Sequence, residues 1–94
     1  SAASGINSLS STFLRIVGSS PNVNISSNPQ IVAGAPGQML IIMGTSDTNT
    51  VRFDDGAGLL LAGAVSFTVG NSDILQLVYD AGLSAWVEIG RSNN

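Results

Sequence analysis

Met39–Leu40–Ile41–Ile42–Met43 and Leu59–Leu60–Leu61–Ala62 hold no polar side chain at any position. A strand projects successive residues to opposite faces, so an unbroken apolar run has two faces to cover rather than one. In a chain of 94 residues that demand is hard to meet. A domain of this size buries only about 60–65% of its extended-chain surface, which leaves a thin margin over lost chain entropy. Small domains close the gap with disulfides, metals or association. The sequence has no Cys and no His, which removes the first and most of the second. Association is left. The two runs therefore predict an obligate oligomer with a core-like interface, and Leu40, Ile42, Leu60, Leu75 and Leu77 are its expected shared interior.

Nothing in the chain has helical periodicity. Apolar residues alternate or run together over four to seven positions, with β-branched and aromatic types prominent. The expected strands are Thr12–Val17, Asn22–Ser26, Gln30–Ala33, Gln38–Met43, Thr50–Asp54, Leu59–Ala62, Ser66–Val69, Asp73–Asp80 and Ala85–Ile89. Turn formers separate them, among them Gly18–Ser19–Ser20–Pro21, Gly34–Ala35–Pro36–Gly37, Asp55–Gly56 and Gly70–Asn71. Val51 and Phe53 flank Arg52, Phe67 and Val69 flank Thr68, and Val87 and Ile89 flank Glu88, which predicts strands with one buried and one wet side. The fold class is all-β.

Gly18, Gly44 and Gly70 each close an apolar strand and lie 26 positions apart, while Gly34, Gly63 and Gly90 follow at 29 and 27. Spacing of this kind marks solenoid or pseudo-threefold β architectures. The expectation is a short-stranded β-prism or β-helix-like module of three repeats of about 27 residues, intertwined or abutting as a homotrimer. A β-sandwich or a trefoil-like fold is the alternative. Residues 1–11 are small and polar and are expected to be a flexible linker ahead of a single β-rich module over residues 12–94.

Composition narrows the chemistry. Ser, Thr, Asn and Gly fill 38 positions, and charged residues make up 10%, giving a net charge of −3 with three Arg and no Lys. Arg15, Arg52 and Arg91 are too few for a nucleic-acid track. The apolar runs are too short to span a bilayer, and no basic segment leads into a long apolar stretch. Neither nucleic-acid binding, membrane insertion nor a signal peptide is expected. No His or Lys is present to activate a hydroxyl, and no Gly-x-Ser-x-Gly elbow or phosphate-loop ending occurs. No cofactor and no catalysis are expected.

Three clusters have a functional reading beside a plain one. Asp54–Asp55–Gly56 with Asp47 offers clustered oxygens to a hard cation, but it lacks the alternating ligands of a calcium loop. A hairpin turn is the favoured reading, so no metal ligand is assigned. Asp80 and Glu88 form a potential carboxylate pair, yet both are expected in solvent beside the Asp80–Ala81–Gly82 turn. Tyr79 and Trp86 are the candidate contacts for a glycan, because exposed aromatic rings stack on sugars. Trp86 is expected instead to cap the apolar interior, with its indole N–H on a backbone acceptor.

The segments GQMLIIMGTSDTNTVRFDDGAGLLLAG, FTVGNSDILQLVYD and WVEIGRSN, between Gly37 and Asn94, resemble a module that recurs in phage tail fibres and other virion appendages. The ordered set Leu77–Val78–Tyr79–Asp80 followed by Trp86-x-Glu88 is its most specific part, and Ala57 and Val69 depart from its pattern. The similarity spans about two thirds of the chain. It implies a trimeric, β-rich, virion-borne and extracellular segment serving assembly or host attachment. A thermostable, non-enzymatic structural module is the resulting expectation, with a lectin-like module that takes host-surface glycans as the rival.

Overall fold

The computed structural model describes residues 13–25 and 27–94. The linker expected over residues 1–11 lies outside the described residues. The described residues form eight strands: β1 (Phe13–Ile16), β2 (Val23–Asn24), β3 (Met39–Gly44), β4 (Val51–Phe53), β5 (Leu59–Leu60), β6 (Phe67–Val69), β7 (Ile74–Asp80) and β8 (Ala85–Ser92). A single 3-10 turn, Ala62–Ala64, links β5 to β6, and no α-helix occurs among the described residues. The expected strand at Gln30–Ala33 is absent as a ladder. There the Gln30 side chain does the anchoring: its amide donates to the carbonyls of Asp54 and Gly56 at 2.6 and 2.8 Å, and its oxygen accepts from Asp54 N at 3.0 Å.

The strands make two mixed sheets, one ordered β1-β3-β7-β8-β5 and one ordered β2-β4-β6. Phe13 lies opposite Ile41 in a parallel pair, and Val23 lies opposite Val51 in another, so both registers span 28 positions. Two passes of the chain thus run side by side across both sheets. Backbone bonds from Gly18 N to Asn49 O (2.8 Å) and from Thr45 N to Ile16 O (3.1 Å) tie the crossings together. The third pass reverses: β6 runs antiparallel to β4, and β7 antiparallel to β3. The glycine spacing is not the pairing register, since Gly44 lies opposite Ile16 rather than Gly18. What Gly44 meets is Gly70, whose carbonyl a Cβ at position 44 would overlap.

One apolar cluster fills the interior. Leu40 and Ile42 of β3, Leu75 and Leu77 of β7, Leu59 of β5 and Trp86 of β8 are all fully buried, together with Phe53 of β4. Val51, Phe67 and Val69 complete the small sheet's inner side, while Ile25, Ile31 and Leu61 fill from the connections. Burying each large side chain stabilises the fold by about 1.5–3 kcal/mol. Arg52 and Thr68 point outward between buried neighbours, as alternation predicts.

This packing corrects the expected oligomer core. Leu40, Ile42, Leu75 and Leu77 are covered within their own chain, because β3 and β7 turn one face toward the small sheet's apolar residues. Leu60 alone of the five lies at the surface, 40% exposed. The all-apolar runs alternate after all. Met39 is 48% exposed beside a fully buried Leu40, and the chain covers one face of each run only.

Candidate functional site

The uncovered face is the outer side of the five-stranded sheet. Residues in register share a side of a sheet, which places them in rows. Met39, Val78, Val87 and Leu60 form the first row. Phe13, Ile41, Gln76 and Gly90 form the second, and Arg15, Met43, Ile74 and Ser92 the third. Among these twelve positions Arg15 carries the one charge. Phe13 and Met39 are each nearly half exposed, and the bulge in the β7–β8 ladder adds Ile89 at 51%. Exposed Phe13, Met39, Leu60 and Ile89 share this face with partly exposed Ile41, Val78 and Val87. Contiguous exposed apolar side chains mark interaction sites more often than bare monomer surface.

The aromatic candidates for glycan contact are interior. Trp86 has no exposed surface and donates from Nε1 to the Val32 carbonyl at 3.0 Å. Tyr79 packs edge-on against it with ring centroids 5.2 Å apart. The absence of a side chain at Gly34 lets the indole lie on the backbone, since a Cβ there would come within 2.6 Å of the ring. Neither ring offers a free face for a sugar. The indole closes the interior, with its one donor satisfied.

Glu88, expected on the wet side of its strand, points inward. It lies opposite Leu77, because Trp86 two positions earlier faces the core and fixes the strand's phase. Its carboxylate, 2% exposed, accepts from Arg91 Nε at 2.8 Å, from Arg91 Nη2 at 2.7 Å and from Ala62 N at 2.9 Å. Arg91 also donates to the carbonyls of Val65 and Ser66 and stacks 4.7 Å over the Phe67 ring. Its hydrogen bond holds the Glu88 carboxyl below the usual glutamate range against the opposing pull of burial, and Glu88 in turn raises Arg91. This partly buried pair clips β8 to the 3-10 turn and the entry of β6. Only its Glu-x-x-Arg spacing signals it in the sequence.

The remaining carboxylates each have a local partner. Asp54 holds Arg52 Nε at 2.9 Å, and Asp55 accepts from Leu61 N at 2.8 Å. Asp55–Gly56 opens the expected tight turn: Gly56 N donates to Leu59 O at 2.7 Å and Leu59 N to Gly56 O at 3.1 Å around Ala57 and Gly58, both at positive φ, while β4 and β5 themselves enter different sheets. Asp47 and Asp73 accept from the backbone N–H groups of Asn71 and Gly70. Asp80 accepts from Gly82 N in the exposed β7–β8 turn and does not face Glu88. Among the described residues no cluster of three or more acidic side chains is placed to hold a metal ion.

No family model and no curated protein matches the chain. A solved structure described as a chaperone-substrate complex is similar over 92% of this chain, with a TM-score of 0.55 and 10% identity. The chain spans 14% of that structure's length. At this identity the likeness concerns the fold alone.

Proposed function

We propose that the chain is a non-enzymatic structural module that assembles as a homotrimer in a phage fibre or comparable virion appendage. Three copies turn the outer faces of their five-stranded sheets toward a common axis, giving a β-prism in which the sheets abut. The side-by-side passes of the first two segments supply its β-helix-like character. Extracellular location, heat tolerance and a part in host attachment belong to the same reading.

The observation that carries it is the in-register row Met39–Val78–Val87–Leu60, flanked by Phe13, Ile41, Met43 and Ile74 on a face with a single charge. Closed three-fold packing covers such a face, and cyclic symmetry limits the assembly to a finite size. The test is mass in solution by light scattering, beside Val78→Asp. The wild type should run near 28 kDa, about three times the 9.5 kDa chain. The variant should be a folded monomer, because an unpaired carboxylate cannot enter an apolar interface. A 9.5 kDa wild-type species at every concentration, or an unchanged trimer of Val78→Asp, would overturn the reading.

A further inference from the structure

The opposite surface has different chemistry. On the outer side of the three-stranded sheet, Asn24, Arg52 and Thr68 stand in register across β2, β4 and β6. With Asn22 and Thr50 they line an open groove of about 270 Å³. Two of these groups are held in place. Asn22, in the left-handed region at φ 59°, accepts from Thr50 Oγ1 at 3.0 Å, so its Nδ2 has a set direction. Arg52 is fixed through Nε by Asp54, which leaves the edge formed by its two terminal nitrogens without a partner among the described residues. The side chains of Asn24 and Thr68 likewise have no hydrogen-bond partner among the described residues.

A row of neighbours on adjacent strands normally interacts across the strands. Here the free groups are mainly donors: a guanidinium edge, two amides and a hydroxyl. A guanidinium edge matches a carboxylate in bidentate fashion, and amide and hydroxyl groups at one strand spacing suit the hydroxyls of a sugar ring. We propose that this groove is a binding site for a carboxylated sugar of the uronic acid type. The carboxylate sits on the Arg52 edge, and ring hydroxyls meet Asn24 and Thr68. The site is independent of trimer formation, since it lies on the other sheet and faces solvent whether the chain is alone or assembled.

The groove is open and has no aromatic floor, so affinity is set by polar contacts and falls in the millimolar range, about 1–10 mM. The experiment is a titration of the isotope-labelled full chain with glucuronate, glucose and acetate, followed by amide chemical shifts. Glucuronate should move the resonances of residues 22–24, 50–52 and 68, with acetate weaker and glucose silent. Arg52→Ala should weaken glucuronate about tenfold or more. Arg52→Lys should behave nearly as poorly, because it keeps the charge and loses the edge. Asn24→Ala should cost about two- to fivefold. The idea is overturned if about 50 mM glucuronate moves none of these signals, if acetate binds equally well, or if Arg52→Lys binds like the wild type. Mass measurement on the same samples keeps these outcomes separate from the trimer test.

Discussion

Replacing Glu88 with Ala removes three hydrogen bonds at once, two from Arg91 at 2.8 and 2.7 Å and one from Ala62 N at 2.9 Å. Bonds to a charged partner contribute about 1.5–3 kcal/mol each when fully buried. The Glu88 side chain is 2% exposed but Arg91 is 26% exposed, so the freed guanidinium can turn partly toward water. That relief lowers the expected total to about 2–3 kcal/mol. For a domain of this size the melting temperature should drop by about 10–20 °C. Glu88→Gln keeps the shape and one acceptor, and should lose about half as much.

The pH dependence separates charge from shape. Glu88 has its folded-state pKa lowered from 4.5, chiefly by the Arg91 hydrogen bond. Its contribution is therefore complete above that unfolded-state value and is lost as pH falls through the lower folded-state one. Circular dichroism melts at pH 7 and near pH 3 should show the gap between wild type and Glu88→Gln shrinking in acid. A gap of equal size at both pH values, or a Glu88→Ala loss under about 0.5 kcal/mol, would refute the account of Glu88 as a charged clip.

Two further substitutions probe the interior. Ile42→Asp should abolish the cooperative unfolding transition, because Ile42 is fully buried within its own chain and the carboxylate would have no partner; a dissociated but folded monomer would contradict that placement. Trp86→Phe should cost about 1–3 kcal/mol in a urea titration, since the Val32 carbonyl loses its donor and the smaller ring leaves a void.

Strand positions were legible because turn formers bracket each apolar run, and every strand but the Gln30–Ala33 segment forms where the pattern places it. Facing was not legible where both sides are apolar. Met39 and Leu40 are alike in hydrophobicity, and only pairing with β7 decides that Leu40 goes inward. For the same reason the predicted core was right about burial and wrong about which chain supplies the cover. Glu88 misled because charge between Val87 and Ile89 implies a wet side, whereas the larger Trp86 sets the strand's phase. Arg91 then makes the inward carboxylate tolerable. The outer apolar rows and the Asn24–Arg52–Thr68 row depend on register between distant strands, which no local window contains.

In both sheets most hydrogen-bonded neighbours are distant in chain order, and among the described strands β7–β8 is the lone consecutive pair. A ribosome releasing this polypeptide exposes β1 through β6 before the middle strand of the larger sheet has emerged. Until Ile74–Asp80 is free, β3 lacks its antiparallel partner and the larger sheet lacks its central strand. Distant pairings of this sort close slowly. The inward-facing side chains of β3 and β5 therefore wait for Leu75, Leu77 and Trp86 before they are covered.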